Sequence, residues 1–351
     1  MCFLKWFLKR FLIFENTKYV ERGAKMKKAL IVLIAITLLF TFFADFGSKE
    51  TIVVCSSLEQ FRNDELQEQL SEEFPHYNVI VTYMSTGKAA AKIYAEGETT
   101  EVDIIAGLET GYMNNIKGEL ADISGMSRIP YVEGLTPADN GNLWVTWERQ
   151  AGAIIVNTEI LKKHGLEAPK TYDDLLKPEY KGLVAMPDPK SSGTGYFFYK
   201  NWVNIWGEEK TLEYVDKLYP NLKQFTESGS GPIKLLKQGE IAVGLALTFQ
   251  GINEINDGQP FEIIFPPEGS PYSLTGSAIV KGHQDKKGVS EVFDYIANEF
   301  LKYDKEYFSP ETIYEGQVNN IENYPQNITY ADMTGIQDYS QKERLLSIWK
   351  Y

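Results

Sequence analysis

Beyond residue 50 the chain alternates short apolar runs with amphipathic stretches. TIVVCSS is followed by a helical pattern over 58–74, then YNVIVTYMS, a helical pattern over 87–96, and VDIIAG. Strand, helix, strand, helix, strand in that order predicts an α/β fold in which parallel sheet carries helices on both faces. Further strands are predicted at 152–157, 183–186, 241–247, 262–265 and 277–281, and helices at 171–176, 194–206, 211–218, 231–238 and 289–302. Clusters of Pro and Gly in LKPEYKG, MPDPKSSGTG and FPPEGSP mark element ends.

In open α/β sheets, ligands sit beyond the carboxyl ends of strands, where loops lead into helix N-termini. The loops after successive strands read Ser56-Ser57, Ser85-Thr86-Gly87-Lys88, Gly107-Leu108-Glu109-Thr110-Gly111, Ser191-Ser192-Gly193-Thr194-Gly195, Ser228-Gly229-Ser230-Gly231 and Thr248-Phe249-Gln250-Gly251. Almost all are rich in hydroxyls and glycine. A helix N-terminus offers free N–H groups and about half a positive charge, and glycine allows close backbone approach. SSGTG at 191–195 is therefore the strongest anion cradle in the sequence, although Ser and Thr are also the favoured ordinary N-caps. Its recurrence as STGK and SGSG at equivalent places favours a ligand. Arg149, between Trp147 and the next strand, is a candidate for a bidentate oxyanion contact, with a surface salt bridge as the alternative. Tyr272 is a candidate to close over a ligand.

The same motifs exclude other chemistries. STGK lacks the first glycine of a P-loop, where Thr82 stands, and Ala89 replaces the final hydroxyl; neither GxGxxG nor GxSxG occurs. His76, His164 and His283 lie far apart, without metal-type spacing. No catalytic residue, metal or cofactor is implied. An exported phosphate-ester hydrolase remains the enzymatic alternative.

Charge is unevenly placed. The whole chain carries 35 − 48 = −13; residues 1–44 hold eight Lys/Arg and two Asp/Glu, leaving 27 − 46 = −19 on the rest. Such a body lacks the basic face that nucleic-acid binding needs. Cys55 is its single thiol, so an internal disulfide is ruled out. From Met26, two lysines precede a charge-free apolar run over 29–44 and then a polar start to the body, the order of a secretory signal peptide. Residues 26–48 are thus expected to be a signal peptide or an N-terminal membrane anchor, and 1–25 an upstream extension with the true start at Met26.

The export signal, TIVVCSS, STGKAAAKIYAE, VDIIAGLE, WERQAGAIIVN, GEIAVGLALT and above all TYDDLLKPEYKGLVAMPDPKSSGTGYFF together resemble a known family. This is the periplasmic or extracellular solute-binding proteins of ABC importers, in the group holding ferric-iron, phosphonate and sugar-phosphate receptors. The resemblance implies a type II periplasmic-binding-protein fold: two α/β lobes joined by a two-strand hinge, with the ligand cleft between them. Lobe one would take 50–149 and 266–351, and lobe two 150–265. It also implies a monomer that binds a small anionic solute and delivers it to an ABC permease. The ligand positions it implies are Ser57, Ser85, Thr86, Ser192, Gly193, Thr194 and Gly195, with Ser228, Ser230 and Thr248 beside them; Gly87 and Ser191, from the same loops, complete the candidate set. The iron receptors commonly place adjacent tyrosines after the GLAL-like strand, where this chain has Thr248-Phe249. That departure shifts the expectation from ferric ion toward a phosphate ester or phosphonate.

Overall fold

The computed structural model describes residues 49–325 and 327–351; the expected signal segment and upstream extension lie outside them. The first lobe begins with β1 (Thr51–Ser56), α1 (Gln60–Glu73), β2 (Asn78–Tyr83), α2 (Thr86–Glu96), β3 (Ile104–Glu109) and α3 (Thr110–Asn115). The chain then crosses on β4 (Val145–Asn157). The second lobe holds α4 (Thr158–His164), β5 (Val184–Pro187), α5 (Gly193–Trp206), α6 (Glu208–Leu218), β6 (Leu222–Thr226), α7 (Gly231–Lys237), β7 (Val243–Leu247), α8 (Thr248–Asn256) and β8 (Phe261–Ile264). Return is by β9 (Tyr272–Ile279), followed by α9 (Val289–Tyr295), a π-helical segment (Ile296–Phe300), α10 (Leu301–Tyr307) and the C-terminal α11 (Tyr339–Ile348).

Strand order is β2-β1-β3-β9-β4-β7-β5-β6, with β8 also on β4. β1 is parallel to β2 and β3, and β5 is parallel to β6 and β7. The pairs β3–β9, β9–β4, β4–β7 and β4–β8 are antiparallel. The expectation of parallel sheet holds for β1–β3 and for β5–β7 and fails wherever the linking strands pair, since β9 is antiparallel to β3 and β4 is antiparallel to β7, β8 and β9. β4 serves both lobes: Val145–Ala151 pairs with β9, and Gly152–Asn157 pairs with β7 and β8. All but one of its residues are buried. A strand buried on both sides reads as a near-continuous apolar run, which is why VTWERQAGAIIVN stood out despite its charges.

Each lobe packs its own core. Ile52, Val54, Leu66, Leu70, Ile104, Phe293 and Phe300 meet in the first, and Ile154, Phe197, Phe198, Trp202, Tyr214 and Leu245 in the second. Leu345 and Trp349 belong to the second-lobe cluster. The boundary drawn from sequence assigns all of 266–351 to lobe one, and α11 packs on lobe two as well as on lobe one. That helix covers the apolar face of α5: Tyr199 donates its hydroxyl to the Leu345 carbonyl at 3.3 Å, and Arg344 pairs with Glu208. Asp338 caps it by accepting from the Gln341 amide at 3.0 Å, a contact of about 1 kcal/mol.

Candidate functional site

Four strand-to-helix junctions converge on one cavity of about 220 Å³ between the lobes. That is below the roughly 300–1,000 Å³ of pockets for drug-sized molecules, so the space suits a small solute. From the first lobe come Ser57 after β1 and Ser85 and Thr86 after β2; from the second come Ser191, Ser192, Gly193 and Thr194 after β5, and Ser228 and Ser230 after β6. These nine predicted residues are brought together as their loop positions require.

Local backbone chemistry sets how each hydroxyl is spent. Ser57 donates to the Met84 carbonyl at 2.9 Å, tying the first two junctions together. Ser191 donates to the Glu227 carbonyl at 2.8 Å, and Ser228 and Ser230 share a hydrogen bond of 3.2 Å. Ser192 caps α5 by accepting from the Gly195 amide. By contrast, Ser85 Oγ and Thr86 Oγ1 are buried and have no partner in the protein, although Ser85 occupies the N-cap of α2. The lobes meet closely here: a Cβ at Gly193 would stand 3.7 Å from Thr86 Oγ1. The N-termini of α2 and α5 thus face each other across the cavity. An exposed ion pair between Lys88 of lobe one and Glu227 of lobe two spans the gap beside it.

Five predicted residues lie off the cavity wall. Gly87 supports the junction of the lobes, since a Cβ there would lie 3.4 Å from the Lys190 carbonyl oxygen. Gly195 lets α5 approach the turn before it: a Cβ would be 2.5 Å from the Pro187 carbonyl oxygen. Thr248 is fully buried at the start of α8. Arg149 and Tyr272 form a separate group on the hinge strands, where the guanidinium lies 5.3 Å from the Tyr272 ring and 4.8 Å from the Tyr330 ring. Side chains alternate along a strand. Arg149 therefore points away from the face that carries Gln150 to the cavity.

Eight lining residues were not singled out from sequence: Leu58, Glu59, Gln60, Tyr83, Gly107, Gln150, Gly229 and Lys234. Glu59 and Gln60 lie two and three residues after Ser57, so extending the first loop by one turn of helix would have found them. Gly107 adopts φ +69°, and a Cβ there would strike the Leu58 side chain. Beneath Glu59 lies a buried charge cluster. Arg62 donates to Asp304 through Nε at 2.7 Å and Nη2 at 2.6 Å, to Glu148 at 2.8 and 3.2 Å, and to Glu59 at 2.9 Å. Lys305 joins Asp304 at 2.8 Å. Burial would raise the Glu148 carboxyl, but Arg62 and Lys305 hold it down at about 2. Burial pushes the Glu59 carboxyl up against the pull of Arg62.

Two α/β lobes, a two-strand hinge and a polar cleft at the helix N-termini define a solute-binding protein of the type II periplasmic class. The family model for bacterial extracellular solute-binding proteins matches residues 65–301, and the chain belongs to that family. It is similar to the fructose-6-phosphate-bound periplasmic binding protein AfuA from Actinobacillus pleuropneumoniae (TM-score 0.76, 24% identity, 86% of this chain and 98% of that one). It is also similar to a periplasmic thiamin binding protein (TM-score 0.70, 15% identity, 87% and 97%). These likenesses bear on the fold. Among curated relatives, an uncharacterized Haemophilus influenzae protein is 39% identical over 128 residues, which are 36% of this chain and 37% of that protein. The spermidine/putrescine-binding periplasmic protein of Escherichia coli is 23% identical over 66% of this chain and 68% of its own length. The match thus spans little more than a third of the Haemophilus relative. Among the described residues no helix is long and apolar enough to cross a membrane.

Proposed function

We propose that this protein is exported, captures a small oxyanion-bearing solute, a phosphate ester or phosphonate, between its lobes, and delivers it to an ABC permease. It acts as a monomeric binding protein that performs no chemistry on its ligand. Lobe one comprises 50–149 and most of the chain after 266, and lobe two 150–265 with α11 packed on it. The supporting observation is the pair of unspent hydroxyls, Ser85 Oγ and Thr86 Oγ1, buried where the N-termini of α2 and α5 face each other. An oxyanion placed there gains hydroxyl donors, free backbone N–H groups and the positive ends of two helices. Lys234, exposed and also lining the cavity, adds a cation. A body charge of −19 does not oppose this, since distant charges are screened over about 8 Å at physiological salt while the helix ends act at contact.

Ferric ion is the alternative cargo. It is disfavoured because Thr248-Phe249 stands where phenolates would be needed, and because the described residues contain no group of three or more His, Cys, Asp or Glu placed to hold a metal. The fructose-6-phosphate held by AfuA belongs to the proposed ligand class; the polyamines named for the Escherichia coli relative do not.

The test is thermal unfolding of the purified protein with inorganic phosphate, sugar phosphates, a phosphonate, putrescine and ferric ion. A ligand at 100 times its Kd stabilises by about 2.7 kcal/mol, a shift of several degrees. Phosphate esters or phosphonates are expected to give that shift, and Thr194→Asp to abolish it while the unliganded midpoint stays. A shift with putrescine or ferric ion alone overturns the proposal.

A further inference from the structure

The cavity is not uniformly a donor surface, and its one acidic wall carries information about the far end of the ligand. Three carboxylates, Glu59, Glu148 and Asp304, surround two cations, Arg62 and Lys305. The five N–H donors of Arg62 are all used on them, two to Asp304, two to Glu148 and one to Glu59. Glu148 and Asp304 are fully buried and do not line the cavity, although Glu148 also accepts from Gln150 Nε2 at 2.7 Å. Glu59 is different. Its side chain is 9% exposed and its remaining exposure is onto the cavity wall. Arg62 engages Oε2, and among the described residues no other side chain donates to Oε1. The cluster therefore has one carboxylate more than it has cations, and the surplus one faces the ligand space.

The same cavity is lined by the unpartnered hydroxyls of Ser85 and Thr86 and by the start of α5. An acceptor-only carboxylate and an oxyanion repel when they share a small enclosed site, so they cannot both be served by one end of a ligand. Resting on the oxyanion reading above, we infer that Glu59 is a specificity-determining residue: it selects solutes that carry a hydrogen-bond donor, hydroxyl or ammonium, at the end opposite the oxyanion. A solute with an apolar tail would leave the Glu59 oxygen desolvated and unpaired. Sites built around a buried polar group reject analogues lacking its partner far more strongly than they reject a change of one methylene.

The experiment uses three phosphate monoesters of similar size: propyl phosphate with an apolar tail, glycerol 3-phosphate with hydroxyls, and phosphoethanolamine with an ammonium. Affinities are measured by calorimetry on the wild type, Glu59→Gln and Glu59→Leu, with each variant's unfolding midpoint recorded to confirm that it folds. The wild type is expected to favour one or both donor-bearing esters over propyl phosphate by at least about tenfold. Glu59→Leu should erase that preference while keeping propyl phosphate binding. Glu59→Gln, which keeps an acceptor without the charge, separates the donors: an ammonium contact weakens by about tenfold or more, whereas a hydroxyl contact survives. Should Glu59→Leu fail to fold, Glu59→Ala replaces it, because it too removes the acceptor and must erase the preference for a donor-bearing ester over propyl phosphate. Equal binding of all three esters by the wild type overturns this inference and leaves the oxyanion reading standing. So does a preference for donor-bearing esters that both Glu59 variants retain. Binding of none of the three, with inorganic phosphate also failing, overturns the oxyanion reading and this inference together.

Discussion

At the scale of single residues, the site separates groups that hold the fold from groups that remain free for a ligand. Thr86 is the clearest case of the second kind, because its buried hydroxyl has no partner in the protein. Thr86→Val is close to isosteric and removes only that oxygen. It is expected to leave the unfolding midpoint unchanged or slightly raised, since an unpaired buried polar group is a cost, while weakening phosphate-ester binding by about tenfold. Calorimetry and a melting curve on the same sample check both halves, and a lowered midpoint with unchanged affinity would show the hydroxyl to be structural. Glu148 is a case of the first kind. Its carboxyl is lowered from 4.5 to about 2 because Arg62 and Lys305 overcome the penalty of burial. A depressed acid stabilises the fold above its unfolded value and loses that contribution as pH falls toward its folded value. The destabilisation caused by Glu148→Gln should therefore be full above about pH 4.5 and shrink as pH falls toward 2. Urea midpoints for both proteins across that range measure it; a difference independent of pH would mean that the charge on Glu148 is not what matters.

At the scale of elements, the parts legible in the sequence are those whose chemistry is local. Hydroxyls and glycines after β1, β2, β5 and β6 announce helix starts, and topology alone then places them at one cleft. Gly195 was legible as a special residue but not for its reason. It gives α5 a close approach to the turn at Pro187 and Asp188, where a Cβ would sit 2.5 and 2.6 Å from backbone atoms that have little room to yield. Gly195→Ala is expected to destabilise by about 1–3 kcal/mol through overpacking, read as a lower denaturation midpoint, with ligand affinity falling only because α5 is displaced. A midpoint equal to the wild type would contradict that packing. What the sequence hid depends on facing and on long-range partners. Arg149 and Gln150 are neighbours in one charged stretch, and only the pleat decides that the second reaches the cavity. β6 reads LKQFT, a half-exposed strand without a clean apolar run, and was missed for that reason. α11 carries Lys342, Glu343 and Arg344 in a row at its centre, and the partners that fix it, such as Glu208 and Glu109, lie more than a hundred residues away.

For the whole molecule, α11 matters because it touches both lobes. On one side it is fastened to lobe two by Arg344 with Glu208, by Tyr199 with the Leu345 carbonyl, and by Trp349 in the core. On the other side Lys342 is fully buried and reaches Glu109 at the end of β3 in lobe one, while Ser273 donates to the second Glu109 oxygen at 2.9 Å. The ammonium also lies 3.8 Å from the Tyr112 ring of lobe one and 4.3 Å from the Tyr196 ring of lobe two. Glu109 in turn stands directly behind the start of α5, where a Cβ on Gly193 would be 3.4 Å from its own Cβ. A hinge motion that draws α5 away from α2 must also pull α11 away from Glu109 or off its own lobe. The ion pair therefore favours the arrangement in which the lobes meet. Removing Lys342 alone would strand a buried carboxylate, so the informative variant is Lys342→Met with Glu109→Gln, which removes both charges and keeps the volumes. If the pair sets the balance between closed and open forms, lowering the closed fraction to one tenth lowers the apparent affinity about tenfold for every ligand alike. Small-angle scattering of the unliganded double variant should then give a larger radius of gyration, returning to the wild-type value when ligand is saturating. A uniform loss of affinity with that expansion distinguishes closure from recognition, since Glu59 and Thr86 variants change which ligand binds or how tightly one end is held. Unchanged scattering with unchanged affinity would show that α11 holds the second lobe together and has no part in bringing the two lobes to their ligand.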